Sequence, residues 1–256
     1  MDLGFNKKLG HNYPSPSQRA RVLTEAWVHA EVYCPNCGRD SIERYANNDP
    51  VRDFFCPKCR EDFELKAKQN VMGAKIVDGE HKTMLRRLRS NEVPNLFALT
   101  YDLAKNRVKD LIVIPSRFFV PTIIESRKPL SVTARRAGWT GCNILLHKIP
   151  HAGRVSLITG GIPARKREVL AAWKRTLFLE EEGRPEARGW TLDVMQCIEK
   201  LDQPEFNLAD VYRFEPLLHK RHPNNRHIKA KIRQQLQVLR DAGYLEFSSR
   251  GSYRTK

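Results

Sequence analysis

One short segment of the chain, residues 53–68 (DFFCPKCREDFELKAK), combines acids, lysines and cysteines at close spacing. Asp53 and Glu64 flank a pair of cysteines, and Lys66 follows two residues after Glu64. Carboxylates are the oxygen ligands that Mg²⁺ prefers, and a nearby lysine stabilises negative charge that develops on a phosphate. This set of residues therefore fits metal-assisted hydrolysis of a phosphodiester.

The residues after this cysteine pair alternate between apolar and polar, in the order Phe63, Glu64, Leu65, Lys66, Ala67, Lys68. Such alternation predicts a strand with the polar side chains on one face. A turn at the cysteines would pair this strand with one around Asp53 and bring the two acids together. The same pattern is also typical of an ordinary strand with a solvated polar face, and Glu-x-Lys alone is a weak motif.

Four cysteines have the spacing C-x₂-C-x₁₈-C-x₂-C: Cys34, Cys37, Cys56 and Cys59. Each pair places two thiolates on one tight turn, and two such turns complete a tetrahedral zinc site. A redox dithiol is the alternative, but it needs no second pair. We therefore predict structural zinc, and we expect the isolated Cys142 and Cys197 to be small core residues.

Charge limits the partners of the chain. Its 256 residues include 45 Lys+Arg and 29 Asp+Glu, a formal net charge of +16. Such a charge attracts polyanions, with nucleic acid the first expectation and an anionic membrane surface the second. No apolar run approaches the roughly 18 residues of a membrane span, and the first ten residues lack a signal-peptide pattern. We expect a cytoplasmic protein with reduced cysteines, no membrane association and no obligate protein partner.

The first part of the chain is expected to be a mixed α/β domain at residues 1–182. A helix over Ser17–Val28, capped at Ser17, precedes the cysteines, and a second helix covers Lys82–Arg89. The apolar runs Leu96–Tyr101 and Leu111–Pro115 predict buried strands. This order of elements favours a sheet with helices packed against it.

A charged stretch with Gly and Pro, Glu180–Gly189, predicts a linker to a second domain at residues 183–256. Helical patterns follow at Thr191–Leu201, Leu208–Leu218 and His227–Ala242, and Gly243 is expected to end the last helix. Tyr244–Phe247 and Ser252–Thr255 then predict a hairpin. Three helices and a hairpin are the order of a winged helix-turn-helix.

Two regions carry side chains suited to reading DNA bases. In the first domain, Arg135 and Arg136 precede Trp139, which offers a large aromatic surface. A core tryptophan is the equally weighted alternative at this position. In the second domain, the stripe that begins at Ile228 leaves polar side chains on the other faces of the last helix: Arg226, His227, Lys229, Arg233, Gln234 and Gln237.

Glutamine and arginine form bidentate contacts with adenine and guanine in the major groove. A solvated amphipathic helix has the same pattern. The position of this helix before a hairpin that carries Arg250 and Arg254 favours recognition.

Longer stretches of the chain resemble the DpnI type of methyl-directed restriction endonuclease over nearly the whole length. The matching stretches are ARVLTEAWV, YCPNCG, DFFCPKC, DFELKAK, LSVTARRAGWTGCNI, RGWTLDVMQCI and HIKAKIRQQLQVLRDAGYLEF. The resemblance implies a PD-(D/E)XK nuclease domain followed by a winged helix. It also implies that each domain reads double-stranded DNA with 6-methyladenine in GATC, and that cleavage leaves blunt ends with 5′-phosphates.

By resemblance, Asp53 and Glu64 are the two acids of the nuclease motif and Lys66 is its lysine. Arg52 stands where the motif name has proline. Catalytic Mg²⁺ is assigned to Asp53, Glu64 and Leu65, and the four cysteines match the zinc site of the family. Glu25 is either an additional metal ligand or, as we expect, a surface glutamate.

The main alternative is a non-catalytic zinc-ribbon and winged-helix regulator, which gives these acids and Lys66 no role. A nuclease of the same fold with another sequence preference is the third possibility.

Overall fold

The computed structural model describes residues 1–46, 51–249 and 251–255. The helices in this part of the chain are α1 Pro16–Glu31, α2 His81–Arg89, α3 Lys166–Lys174, α4 Pro185–Glu199, α5 Leu208–Tyr212, α6 Glu215–Arg221 and α7 Ile228–Asp241. The strands are β1 Glu43–Arg44, β2 Phe54–Phe55, β3 Asp62–Gln69, β4 Lys75–Glu80, β5 Asn95–Asp102, β6 Arg107–Ile114, β7 Ile124–Ser126, β8 Gly141–Leu145, β9 Val155–Thr159, β10 Ile162–Pro163, β11 Glu205–Asn207, β12 Leu245–Ser249 and β13 Ser252–Thr255.

The first sheet is mixed and has the strand order β1-β2-β3-β5-β6-β9-β10 among the described residues. Strands β3 and β5 are parallel, whereas the other neighbours are antiparallel. Helices α1 and α3 contribute Trp27 and Trp173 to a core on this sheet, where Phe63 of β3 stacks on Phe97 of β5 with ring centroids 4.7 Å apart. This core fixes the strand that carries Glu64 and Lys66.

A smaller antiparallel sheet, in the order β4-β8-β7, packs against helix α2. The segment between strands β7 and β8 contains Arg135, Arg136 and Trp139. Strand β4 pairs with β8 through Asp78↔Cys142, and the register shifts before Glu80↔Gly141. The small sheet therefore joins the predicted recognition loop directly to strand β4.

The C-terminal part contains α4 to α7 and a third antiparallel sheet in the order β11-β13-β12. Helix α7 packs against α4 and against β12, and the strands β12 and β13 form the hairpin of a winged helix. Helix α4 also contacts the turns Ser116–Phe118 and Pro121–Ile123 of the first domain. One apolar core thus runs through α4 into both domains.

The predicted fold class, an α/β domain followed by a mainly helical winged helix-turn-helix, is confirmed. The structure also confirms the second predicted helix and the hairpin after Gly243, which has φ +71°. Strand Leu96–Tyr101 is present within β5. Both isolated cysteines, Cys142 and Cys197, are fully buried, as expected of core residues.

Several predicted boundaries were wrong because proline begins helices here. Helix α1 starts at Pro16 after the N-cap residue Ser15, so Ser17 lies inside the helix and does not cap it. Likewise, Pro185 opens helix α4, so half of the predicted linker Glu180–Gly189 is helical and partly buried. Pro216 cannot continue a helix from Leu208, and the segment therefore divides into α5 and α6.

Two strands depart from the sequence pattern. Strand β6 begins at Arg107 rather than Leu111, because exposed Arg107 and Lys109 alternate with buried Val108 at the sheet surface. Strand β11 is short, and its pattern of one buried residue between two exposed ones is too brief to predict a strand. Among the described residues, no helix is long and apolar enough to span a membrane.

Candidate active site and metal cluster

A hairpin positions the first candidate acid. Strand β2 pairs with β3 through Phe54↔Phe63, and the main-chain N–H of Asp53 donates to the carbonyl of Phe63 at 2.9 Å. The N–H of Leu65 in turn donates to Asp53 Oδ2 at 2.7 Å. Asp53 therefore stands beside Glu64 and Leu65 across the hairpin, as the cysteine turn predicted.

Lysine 66 lies between two carboxylates. Its Nζ is 2.6 Å from Glu64 Oε1 and 2.8 Å from Asp78 Oδ1. The three side chains are largely shielded, with exposed fractions of 20% for Glu64, 27% for Lys66 and 8% for Asp78. The polar face of β3 is thus not a solvated strand surface at these positions.

Glu64 and Lys66 face an open cleft of about 550 Å³ between α1, β3 and β4. Glu25 of α1 also lines this cleft and is 9% exposed. Its carboxylate oxygens lie 2.5 Å from Arg21 Nε and 2.5 Å from an Arg44 terminal nitrogen. The expectation of a surface glutamate was wrong, because this helix face turns toward the hairpin and not toward solvent.

Burial changes the ionisation of the cleft. Burial raises the pKa of the Asp53 carboxyl, and the charge of Glu25 raises it further, although the Leu65 N–H opposes the shift. Burial also raises the pKa of the Glu64 carboxyl against the effect of Lys66. Although burial lowers the pKa of the Lys66 ammonium, the charges of Glu64 and Asp78 raise it above its usual range. Buried acids of this kind are stabilised by a bound cation.

The four cysteines meet in one cluster. Their sulfur atoms all lie within 4.8 Å of one another, and the Cys34–Cys59 and Cys37–Cys56 sulfurs are 3.5 Å apart. Two turns of the same form present them, with Gly38 N–H donating to the Cys34 carbonyl and Arg60 N–H donating to the Cys56 carbonyl. Gly38 and Arg60 both have positive φ angles, +74° and +62°.

Zinc fits this cluster. Four Zn–S bonds of about 2.3 Å in a tetrahedron place the sulfur atoms about 3.8 Å apart, close to the observed separations. The donor set contains only soft sulfur atoms, which zinc accepts and magnesium does not. Because four thiolates complete the coordination sphere, this cluster suits a structural ion that holds the hairpin of Asp53 and Glu64.

The predicted recognition loop lies between β7 and β8. Leu130 N–H donates to the Trp139 carbonyl at 2.9 Å and closes the loop, and the Arg136 guanidinium lies 4.8 Å from the Trp139 ring centroid. Trp139 is half-buried and its ring packs on Gly141, so it is not a core tryptophan. Arg135 and Arg136 are exposed, and Val132 is 92% exposed. Sequence reasoning did not single out Val132.

The polar side chains of the last helix are exposed together, while Ile228, Ile232 and Leu236 are buried. Exposed at and before this helix are Arg226, His227, Lys229, Arg233, Gln234 and Gln237. Helix α5 supports two of them, because Arg233 donates to the Tyr212 hydroxyl at 2.7 Å and Lys229 lies 5.6 Å from the Tyr212 ring centroid. On the hairpin, Arg254 pairs with Glu205, whereas Arg250 lies outside the described residues.

Sequence reasoning missed Asp78, which contacts Lys66, and misjudged Glu25, which lines the cleft. Asp78 occupies a short alternating segment, KIVDGE, in which one acid has no distinctive spacing. Glu25 has the spacing of an ordinary helix glutamate. Their roles depend on packing between elements, which the local pattern does not contain.

Family comparisons agree with this architecture. The model of the DpnI, or Dam-replacing, family matches residues 1–182, and the model of the Dam-replacing HTH domain matches residues 186–255. The first match alone covers more than half of the chain and contains the cleft, the cysteine cluster and the predicted recognition loop. The second contains helix α7 and the hairpin. The chain therefore belongs to the Dam-replacing family of DpnI-type methyl-directed restriction enzymes.

Proposed function

We propose that the protein is a type II restriction endonuclease that cuts both strands of double-stranded DNA at GATC sites containing 6-methyladenine. The observation that carries this proposal is the meeting of Asp53, Glu64 and Lys66 at one open cleft. The cleft is wide enough to admit a phosphate, and the net charge of +16 favours a polyanionic substrate.

Catalytic Mg²⁺ would be held by the carboxylates of Asp53 and Glu64 and by the main-chain oxygen of Leu65. All three offer oxygen donors, and the raised pKa values of the two acids reflect a buried pair that gains from a cation. When bound, the ion polarises the scissile phosphate and makes water more acidic. The cleft also leaves space for solvent at these acids.

The side chains of the protein supply the remaining functions. The protonated Lys66 orients a water and stabilises the negative charge that develops on the phosphate oxygens. The hydrogen bond from Leu65 fixes the direction of the Asp53 carboxylate. Addition of water to phosphorus with departure of the 3′-oxygen leaves a 5′-phosphate.

Two surfaces are proposed to read the methylated site. Arg135, Arg136 and Trp139 serve the first domain, and the exposed face of α7 serves the second. Burial of one methyl group contributes only about 1 kcal/mol, which is less than about tenfold in affinity. Repeated reading, or a clash with the unmodified base, therefore raises selectivity beyond what one contact gives.

A non-catalytic DNA-binding regulator explains the zinc cluster and the winged helix equally well. It does not explain why two buried acids and a lysine face an open cleft, where their burial destabilises the fold. We also infer a cytoplasmic location, because the four clustered thiols need a reducing compartment to remain free for zinc.

Digestion of matched plasmids tests the proposal. One plasmid comes from a host that methylates adenine in GATC and the other from a host that does not, and both are incubated with the protein and Mg²⁺. We expect blunt double-strand cuts at GATC in the methylated plasmid alone. Binding without cutting would support the regulator, whereas equal cutting of both plasmids would support a nuclease with another preference.

A further inference from the structure

Asp78 is a buried carboxylate that contacts Lys66 beside the cleft, and the nuclease motif gives it no role. Its Oδ1 lies 2.8 Å from Lys66 Nζ, and its side chain is 8% exposed. Glu64 is the other partner of Lys66, at 2.6 Å. Glu64 is also proposed to hold the metal, and a cation bound to this carboxylate weakens its attraction for the Lys66 ammonium. Asp78, which is not assigned to the metal, is the carboxylate that remains fully available to Lys66.

The backbone around Asp78 directs its side chain toward Lys66 from a different sheet. Strand β4 belongs to the small sheet, and the register between β4 and β8 shifts between Asp78 and Glu80. Such a bulge redirects side chains locally and is frequent beside active sites. Strand β8 begins at Gly141, two residues after Trp139, so strand β4, which carries Asp78, is paired with the end of the proposed recognition loop.

We propose that Asp78 is a positioning residue that holds the Lys66 ammonium in the cleft while Glu64 is engaged elsewhere. This inference rests on the proposed nuclease function, in which Lys66 acts on the substrate phosphate. Asp78 itself acts only through Lys66. Because strand β4 also pairs with β8, which follows the proposed recognition loop, the position of Lys66 depends on the placement of that loop.

A cycle of variants tests the proposal by activity. Asp78→Asn keeps the shape of the side chain and removes its charge. Single-turnover cleavage of methylated DNA should slow by about tenfold to a hundredfold, the range expected when a reacting group is misplaced, while DNA affinity stays unchanged. In a Lys66→Met background, Asp78→Asn should cause no further loss. A wild-type rate in Asp78→Asn, or an equal loss in both backgrounds, would overturn the proposal.

Asp110→Asn is the matched control. Asp110 is another strand aspartate, but its side chain accepts hydrogen bonds from the Thr100 hydroxyl and from Gly160 N–H rather than from Lys66. This variant should cut like the wild type. If Asp110→Asn slows cleavage as much as Asp78→Asn does, loss of any strand aspartate explains the effect and the positioning role is excluded.

A spectroscopic measurement separates this proposal from the nuclease function. In metal-free protein without DNA, an ammonium held by two carboxylates is shielded from exchange and gives a ¹H–¹⁵N signal, which Lys66→Met identifies by its loss. The signal should persist in Asp110→Asn and disappear in Asp78→Asn. Persistence in Asp78→Asn would overturn the proposal. Wild-type protein that keeps the signal and yet leaves methylated DNA intact would contradict the nuclease function and not the contact.

Discussion

The main-chain N–H of Leu65 donates a hydrogen bond of 2.7 Å to Asp53 Oδ2. This contact ties the residue before β2 to the middle of β3, on the two sides of the Cys56–Cys59 turn. Both acids of the candidate site are consequently held by one hairpin, and the cysteine cluster holds that hairpin closed. The geometry of the acids and the integrity of the cluster should therefore change together.

Loss of one cysteine ligand should disturb both the cysteine cluster and the hairpin that carries Asp53 and Glu64. Purified protein should contain about one zinc per chain, as expected of a single four-sulfur site. Cys56→Ser should lower zinc content and the thermal midpoint, because Cys56 lies between the two acids. Elemental analysis and calorimetry measure these effects, and Cys197→Ser, remote from the cluster, should retain zinc. Carefully purified protein that contains no zinc would refute the assignment.

Stability should depend on pH at Asp53. Burial raises the pKa of its carboxyl, so the folded state binds its proton more tightly than the unfolded state does. The free-energy cost of ionising Asp53 in the folded protein is therefore absent below the pKa that the carboxyl has in the unfolded state. It develops as pH rises through the raised pKa of the folded state. In metal-free protein, Asp53→Asn should raise the thermal midpoint at pH 7.5, and its advantage should shrink toward pH 4. A midpoint lowered at pH 7.5 would contradict the raised pKa.

The hairpin and the cysteine cluster were predictable because their signals are local. A CxxC turn brings its two thiolates together whatever the rest of the chain does, and alternation from Phe63 to Lys68 fixes one face of a strand. Asp78 and Glu25 were not predictable, since Asp78 reaches Lys66 from strand β4 and Glu25 reaches the cleft from helix α1. The effects of Pro185 and Pro216 were misinterpreted for a related reason. Proline disrupts a helix interior but favours a helix start, and the packing of neighbouring residues decides which of the two occurs.

Each reading surface should contribute separately to methyl selectivity. Helix α4 packs against both domains, so this prediction is best tested in the full chain. In an Asp53→Asn background, the ratio of affinities for methylated and unmethylated GATC duplexes is measured at fixed salt. Trp139→Ala and Gln234→Ala should each reduce this ratio several-fold, and the double variant should nearly abolish it. If Gln234→Ala and Gln237→Ala together leave the ratio unchanged, the second domain only anchors the DNA.

Trp139→Ala should also separate cutting from binding in the active enzyme. The first domain would lose its aromatic surface, while the exposed face of α7 would still hold the duplex. Single-turnover cleavage should therefore fall more than affinity does, by about tenfold or more when a reacting phosphate is misplaced. Ile162→Ala, at an exposed apolar position on β10 outside the loop and the cleft, is the control. Equal losses in cutting and affinity would assign Trp139 to binding alone.

The most direct test of the central claim compares Asp53→Asn with the wild-type protein on GATC-methylated DNA in the presence of Mg²⁺. Cleavage should fall by at least about a hundredfold, as expected when a group that acts on the reacting phosphate is lost. Affinity for the methylated duplex should be retained. Glu168→Gln, on the surface of α3 and outside the cleft, should cut normally. Near-normal cutting by folded Asp53→Asn protein would contradict the assignment of the cleft as the site of hydrolysis.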